Sequence, residues 1–259
     1  MLYTILIIYI VVGVGFYFFQ DFIFFRSKRI DVNAPFKFDV PFKEVNIPYN
    51  SEYNFSIVQF FAKEPQKKLV LYFHGNHTNI NRYAKHADNF TNKGYDVWMC
   101  DYPTFGKTTG KLTEAILYQE AEAFYELAKQ QYADTNIVIY GKSFGSGLAS
   151  YLASKTNTQQ LILETPYNSF VDVAKQWGFM YPCHWMVKYK IPSYDYIAQT
   201  KIPVTIFHGT SDGTIYYSNA CKLKAHLKPT DKFITIEGGE HNNIPSYEVY
   251  QKEIGTLLK

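Results

Sequence analysis

The middle of this chain alternates short apolar runs with stretches of helical periodicity. The apolar runs are rich in β-branched and aromatic residues, which is the composition of strands that a parallel sheet buries on both faces. They occupy 69–73, 95–100, 137–140, 161–164 and 204–209. The helical stretch at 113–131 carries Leu117, Ala121 and Phe124 on one face, as a helix packed on a core does. This alternation predicts a doubly wound, mostly parallel sheet with helices on both faces.

Further elements are expected on either side of these strands. Segments 43–47 and 55–61 are strand-like and flank a short polar turn, which predicts an antiparallel hairpin at the edge of the sheet. A helix is predicted over 83–93, just before a glycine. The last strand is expected at 233–237, and a closing helix at 246–258.

The chain begins with an uncharged and mostly apolar segment, Leu2 to Phe19. Its 18 residues would extend about 27 Å as a helix, which is close to the hydrocarbon thickness of a bilayer. A cleaved signal peptide is the alternative. No basic region precedes the run, however, and no alanine stands before Ala34 to form a typical cleavage site. These features favour an uncleaved membrane anchor.

Three basic residues follow the apolar segment within positions 26–29. The positive-inside rule places this flank, and the chain that follows it, in the cytoplasm. We therefore expect a single-pass membrane protein. Its parts are an anchor at 1–25, a juxtamembrane linker at 26–40 and one large domain at 41–259.

Composition excludes several other classes of protein. The chain has 259 residues and a formal net charge of +3 that is evenly spread, which does not indicate nucleic-acid binding. Its three cysteines are an odd number without C-x-x-C spacing, so neither a disulfide framework nor a zinc site is indicated.

A glycine-rich turn after the strand at 137–140 carries the first candidate for chemistry. Gly141 to Gly145 matches G-x-S-x-G, in which a serine stands on a sharp turn between a strand and a helix. The two glycines are needed because strand and helix approach too closely there for Cβ atoms. Ser143 is therefore predicted to be a nucleophile.

Two phosphate-binding motifs also overlap this turn, and both fail. A P-loop needs another glycine where this chain has Asn136. A dinucleotide fingerprint would place its third glycine on Ser150, and only Glu164 could serve as its acidic residue.

An acid and a histidine follow Ser143 in a meaningful order. Asp212 comes in the loop after the strand at 204–209, and His241 follows the last predicted strand. The order Ser, Asp, His, with each residue at a strand end, is the arrangement that the α/β-hydrolase fold uses for its catalytic triad. Asp212 could instead be a simple turn residue, since Ser-Asp-Gly also favours turns.

The strand at 69–73 ends in His-Gly, where an α/β-hydrolase places half of its oxyanion hole. We predict that the backbone amides of Asn76 and Phe144 are the two donors. His74 and His77 could instead bind a metal, but no third ligand stands at a diagnostic spacing. No metal or cofactor is expected.

The segment at about 166–199 interrupts the alternation and is rich in aromatic residues and prolines. It predicts a small cap over the sheet. Its aromatic side chains, including Trp177 and Trp185, could line an apolar pocket or simply cover the core, and composition alone favours neither.

From residue 19 onward the chain resembles a known group of proteins. The shared segments are Phe19-Gln20-Asp21, His74-Gly75-Asn76, Asp101 to Lys107, Gly141 to Gly145, Glu164-Thr165-Pro166-Tyr167, His208 to Asp212 and Gly238 to Asn242. It resembles single-pass membrane-anchored α/β-hydrolases of the serine aminopeptidase-like, bud-emergence-protein type. Pro103-Thr104 stands where that group usually has Arg-Gly, and Gly213 replaces a frequent acidic residue, so the substrate is left open.

The resemblance implies an enzyme that hydrolyses acyl esters or thioesters. Eukaryotic relatives act as lysophospholipid or monoacylglycerol lipases and as protein depalmitoylases. We expect a membrane-anchored serine hydrolase that forms an acyl-enzyme on Ser143 and acts on an acyl substrate, with a lipid as one candidate. The alternatives are a serine peptidase of the same fold and a non-catalytic, membrane-tethered binding module.

Overall fold

A computed structural model describes residues 1–64 and 66–259 of the chain. Its strands are β1 (Arg26–Ser27), β2 (Phe42–Pro48), β3 (Asn54–Phe60), β4 (Lys68–Phe73), β5 (His77–Thr78), β6 (Tyr95–Cys100), β7 (Ile137–Lys142), β8 (Gln160–Glu164), β9 (Val204–Gly209) and β10 (Lys232–Ile236). Its α-helices are α1 (Leu2–Phe24), α2 (Ile80–Tyr83), α3 (Asp88–Thr91), α4 (Glu114–Lys129), α5 (Gly145–Lys155), α6 (Phe170–Gly178), α7 (Cys183–Met186), α8 (Ser193–Gln199), α9 (Tyr217–Cys221) and α10 (Glu248–Leu257).

The predicted sheet is confirmed. Within the described residues it has eight strands in the order β2-β3-β6-β4-β7-β8-β9-β10. All neighbouring pairs from β6 to β10 are parallel, whereas β3 runs antiparallel to both β2 and β6. The hairpin β2-β3 therefore lies at one edge, as the sequence predicts. The carboxyl ends of the parallel strands meet on one side of the sheet, which is where functional loops gather in this type of fold.

The two faces of the sheet carry separate layers of core. Along β4, Leu69 and Leu71 pack in one hydrophobic cluster while Val70 and Tyr72 pack in the other. Side chains of α4, α5 and the segment between β8 and β9 join the first cluster, and those of α3 and α10 join the second. Because successive residues of a strand point to opposite faces, a fully apolar strand requires both layers.

Three elements differ from the predictions. The helix expected at 83–93 consists of the short helices α2 and α3, with a 3-10 turn at Ala84–His86 between them. A short helix, α9, follows β9 and was not predicted. The predicted linker at 26–40 begins with β1, which pairs in parallel with β5 and so joins the domain directly. Such short pairings leave no periodic pattern in the sequence.

The apolar N-terminal segment forms the 23-residue helix α1. Its length and composition would allow it to cross a membrane, and a signal sequence would satisfy the same criteria. Most of its side chains are exposed, but Gly13, Gln20 and Phe24 are buried against the rest of the chain. The end of this helix thus contacts the folded domain rather than leading into a free linker.

Candidate active site

Ser143 lies at the turn between β7 and α5 with a backbone φ of 52°. A residue with a side chain rarely adopts this left-handed conformation outside strained turns. A Cβ added to Gly145 would lie 2.2 Å from the Phe73 carbonyl oxygen, and one added to Gly141 would lie 2.6 Å from Cα of Ser146. Both glycines are therefore required for strand and helix to approach this closely, as the sequence motif predicts.

The structure brings Ser143, His241 and Asp212 together. His241 Nε2 lies 2.8 Å from Ser143 Oγ, and His241 Nδ1 lies 2.7 Å from Asp212 Oδ2. The three residues come from the ends of β7, β9 and β10. Because a carboxylate can only accept, Nδ1 carries the proton, which leaves Nε2 free to accept the proton of the serine hydroxyl.

Asp212 is held as an anion. Burial acts to raise the pKa of this carboxyl, but the hydrogen bond from His241 and the electrostatic interactions with His241 and His208 together lower it below its usual value. Its second oxygen, Oδ1, accepts hydrogen bonds from the backbone amides of Thr214 at 2.8 Å and Ile215 at 2.9 Å. The turn after β9 thus fixes the carboxylate that faces the imidazole.

The two predicted oxyanion donors are chain neighbours of Ser143 and of Gly75, a residue that lies beside it. Gly75 is so close to Ser143 that a Cβ on the glycine would lie 3.5 Å from the serine Cβ. Within the described residues, neither the Asn76 amide nor the Phe144 amide has an acceptor. Phe144 precedes the first turn of α5. An amide at the start of a helix is available for a negatively charged oxygen.

The loop that carries Asn76 is attached to the end of α1. The Asn76 carbonyl accepts from the Arg26 amide at 3.0 Å, and its side-chain amide donates to the Phe24 carbonyl at 2.5 Å. The ring of Phe25 packs edge-on against the ring of Phe144, with centroids 5.0 Å apart. Residues at the end of α1 therefore contact both segments that carry the candidate oxyanion donors.

His74 and His77 have separate environments. The His74 ring is fully buried, with Nδ1 2.7 Å from the Gly75 carbonyl and Nε2 3.2 Å from Asp101 Oδ1. Asp101 also accepts from the Ile80 amide at 2.9 Å. These bonds make His74 a support for the loop after β4. His77 lies on β5, where burial and the nearby arginines lower its pKa.

A buried ion pair beneath the serine was not predicted. Lys142 and Glu164, on neighbouring strands, form a direct hydrogen-bonded pair and are almost fully buried. Glu164 also accepts from the hydroxyl of Tyr140. Burial acts to raise the pKa of Glu164, but the charge and hydrogen bond of Lys142, together with the hydrogen bond from Tyr140 and the interaction with His86, hold the pKa below its usual value.

This pair contacts the candidate triad directly. Lys142 Nζ lies 3.3 Å from the backbone carbonyl oxygen of His241 and donates to it. The ammonium therefore connects β7 and β8 to the loop that carries the imidazole. The G-x-S-x-G motif does not indicate these contacts of Lys142, because the two partners lie 22 and 99 residues away along the chain.

We predict that Lys142→Met destabilises the fold by about 3–5 kcal/mol, because it leaves the Glu164 carboxylate buried without its partner. The double variant Lys142→Met, Glu164→Gln should recover much of this loss. Urea unfolding of the full chain in mild detergent measures both. Lys107→Met is a matched control, since Lys107 pairs with a Glu44 that is 26% exposed. A loss for Lys142→Met no larger than for this control would contradict the prediction.

Comparison with known families identifies the class of protein. The family model described as "Serine aminopeptidase, S33", a hydrolase family, matches residues 64–194. The chain belongs to this family. The match covers the loop after β4, the serine turn and most of the segment between β8 and β9. An S33-family chain is a hydrolase, and the prediction of that enzyme class is confirmed at this level.

Two curated relatives have descriptions that name the same fold. Alpha/beta hydrolase domain-containing protein 17C of Xenopus tropicalis is 28% identical over 197 residues, which are 73% of this chain and 61% of the relative. Alpha/beta hydrolase domain-containing protein 17B of Homo sapiens is 27% identical over 204 residues, 75% of this chain and 68% of the relative. The S33-family chain thus spans less than two thirds of the first relative's length.

Solved structures confirm the predicted α/β-hydrolase fold. The Pyrococcus furiosus esterase Pf2001 has a TM-score of 0.71 and 17% identity, covering 90% of this chain and 96% of the esterase. Est1E from Butyrivibrio proteoclasticus, solved with ferulic acid, has a TM-score of 0.62 and 17% identity, covering 80% of this chain and 93% of Est1E. At such identities the likeness establishes the fold alone.

Proposed function

We propose that this S33-family chain is a serine hydrolase that cleaves acyl esters or thioesters through an acyl-enzyme on Ser143. The observation that carries the proposal is the continuous hydrogen-bonded chain from Ser143 Oγ through His241 to Asp212, with separations of 2.8 and 2.7 Å. A histidine placed between a serine on a strained turn and a buried carboxylate is the arrangement that activates a hydroxyl for nucleophilic attack.

In the first half of the reaction, Ser143 Oγ attacks the acyl carbonyl carbon while His241 Nε2 takes the hydroxyl proton. Asp212 accepts from Nδ1 and stabilises the imidazolium. The imidazolium then gives its proton to the leaving alcohol or thiol, and the acyl group stays on the serine. In the second half, His241 activates a water that attacks the acyl-enzyme and releases the acid.

The negative oxygen of each tetrahedral intermediate is stabilised by the amides of Asn76 and Phe144. Both amides are fixed before substrate binds, because the Asn76 loop is tied to Phe24 and Arg26 and the Phe144 ring is packed against Phe25. Preorganised donors of this kind each contribute about 3–4 kcal/mol to transition-state stabilisation.

The proposal places the enzyme at a membrane, with α1 as an anchor and the catalytic domain in the cytoplasm. Support comes from the length and exposure of α1 and from the basic residues that follow it. An acyl chain held at a bilayer surface is the substrate class that such a tethered enzyme meets at high local concentration. We therefore propose a preference for medium or long acyl chains.

A substrate panel tests this function. The full chain, purified in mild detergent, is assayed with p-nitrophenyl esters from acetate to palmitate, with an acyl thioester and with aminoacyl p-nitroanilides. We expect ester and thioester turnover, with kcat/KM rising with chain length, because each buried CH₂ group contributes about 0.8 kcal/mol.

Two outcomes would contradict the proposal. Faster cleavage of the anilides than of any ester would indicate a peptidase, which is also the activity that the family description names. A steady decline in kcat/KM from acetate upward would indicate a small-ester substrate. Trp177 and Trp185 are not suitable probes of chain-length preference, because both side chains are largely exposed rather than directed into a pocket.

A further inference from the structure

The tip of the segment between β8 and β9, residues 177–186, presents large apolar side chains to the surroundings. Trp177 is 65% exposed, Phe179 79%, Met180 65% and Trp185 80%. This stretch contains no aspartate, glutamate, lysine or arginine, while Lys175 and Lys188 stand on either side of it. Four large apolar side chains exposed within nine residues are more than the scattered single ones that a protein surface normally carries, and such clusters often mark an interaction site. We call residues 177–186 the cap tip.

The cap tip is packed along α1. The rings of Tyr9 and Tyr181 stack with centroids 4.7 Å apart. The Tyr9 hydroxyl donates to the Met180 carbonyl at 2.8 Å, and the Tyr181 hydroxyl donates to the Tyr9 carbonyl at 3.1 Å. Gly13 allows this contact, since a Cβ there would lie 2.8 Å from the Tyr181 ring. The cap tip and the middle of α1 thus form one surface.

This contact lies far from the end of α1 that joins the domain. Tyr9 precedes Phe24 by 15 residues, which is about 22 Å along a helix, against about 30 Å for the hydrocarbon core of a bilayer. Gln20, nearer the domain, is also attached to the cap, through the Met186 carbonyl at 3.2 Å and the Lys188 amide at 2.7 Å. The cap therefore follows α1 over several turns, and a bilayer that surrounds α1 would also surround the cap tip.

Several backbone carbonyls of the cap tip have hydrogen-bond partners, which lowers the cost of placing this segment in hydrocarbon. The Gly178 carbonyl accepts from the Tyr181 amide at 2.9 Å, and the Tyr181 carbonyl accepts from the Cys183 amide at 2.7 Å. The Pro182 carbonyl accepts from the Trp185 amide at 2.9 Å. The Met180 carbonyl accepts from the Tyr9 hydroxyl of α1.

We infer that the cap tip inserts into the hydrocarbon of the membrane that holds α1, so that helix and cap form a single lipid-facing surface. The partner is the acyl-chain region of a phospholipid bilayer. Lys175 and Lys188 would then lie near the headgroups, where basic side chains interact favourably with anionic lipids. This inference rests on the proposed anchoring by α1 and adds to it a second point of entry, which would hold the domain close to the bilayer surface.

Tryptophan fluorescence tests the inference, because the chain has three tryptophans and only Trp177 and Trp185 are exposed, whereas Trp98 is 1% exposed. The full chain is reconstituted into phosphatidylcholine vesicles whose acyl chains carry bromine near their middle, and into unbrominated vesicles. We expect the bromine to quench most of the tryptophan emission. In the variant Trp177→Phe, Trp185→Phe, the remaining emission of Trp98 should be nearly unquenched.

Vesicle flotation separates failure of this inference from failure of the anchoring. A chain that floats with vesicles but keeps its emission in brominated lipid would overturn insertion of the cap tip and leave α1 as an anchor. A chain that does not float would overturn both. Emission that changes with the protein-to-lipid ratio, without quenching by bromine, would show that a second copy of the chain covers the cap tip, and would also overturn the inference.

Discussion

The substitution Ser143→Ala should lower kcat for ester hydrolysis by roughly a millionfold, the size of effect seen when the nucleophile of a serine hydrolase is removed. The fold should remain intact. Within the described residues Ser143 Oγ bonds to His241, so its removal breaks no hydrogen bond that holds the turn itself. Alanine tolerates the backbone conformation of the turn no worse than serine does. The measurements are turnover of a p-nitrophenyl ester and the midpoint of thermal unfolding.

Ser146→Ala is the matched control for this prediction. Ser146 lies three residues further along, is fully buried, and its Oγ has no hydrogen-bond partner within the described residues. Its loss should leave kcat within a few-fold of the unchanged chain. If Ser143→Ala kept more than a hundredth of the activity while folding normally, another group would have to be the nucleophile.

His241→Ala should be nearly as damaging as Ser143→Ala, because the serine hydroxyl would lose the base that takes its proton. Asp212→Asn should lower kcat by roughly ten-thousandfold, since an amide at this position favours the wrong tautomer of the imidazole. Both variants should also react much more slowly with a fluorophosphonate, which requires an activated serine. The rate of that labelling is the second measurement.

Asp195→Asn controls for the general effect of removing a carboxylate, because Asp195 is an exposed residue of α8. It should leave both rates almost unchanged. Turnover by Asp212→Asn comparable to that of this control would remove Asp212 from the mechanism. A different carboxylate would then have to orient His241.

The residues of the candidate site could be predicted because each follows an apolar strand. A strand buried on both faces is recognisable in a single sequence, and the polar residues directly after it must lie at one edge of the sheet. Ser143, Asp212 and His241 were placed in this way, and the structure brings them within hydrogen-bond distance. The glycines around Ser143 needed only the local geometry of the turn.

The Lys142–Glu164 pair could not be predicted by the same reasoning. Lysine and glutamate are usually solvated, and burial of both depends on the register between β7 and β8, in which Lys142 lies opposite Glu164. The sequence therefore gave no reason to connect Lys142 with His241. The one chemical role that the sequence suggests for Glu164 is that of a cofactor-binding acid, whereas in the structure its carboxylate bonds to Lys142 and Tyr140.

The contacts of α1 with the rest of the chain could not be predicted from the sequence either. Length and apolar composition predict a helix of this kind, but they do not say what it contacts. The sequence pattern indicates no contact for either Gln20 or Gly13. In the structure Gln20 forms hydrogen bonds that attach the helix to the cap. Gly13 has no side chain and so allows the ring of Tyr181 to approach the helix axis. Each role depends on a cap residue more than 160 positions away.

The most direct test of the central claim is to find which residue a fluorophosphonate modifies. The full chain is treated with the probe in mild detergent, digested and analysed by mass spectrometry. The arrangement of Ser143, His241 and Asp212 predicts a single phosphonylated residue, Ser143, and loss of ester turnover in proportion to its modification. An unmodified Ser143 in a chain that still hydrolyses esters would contradict the proposed mechanism.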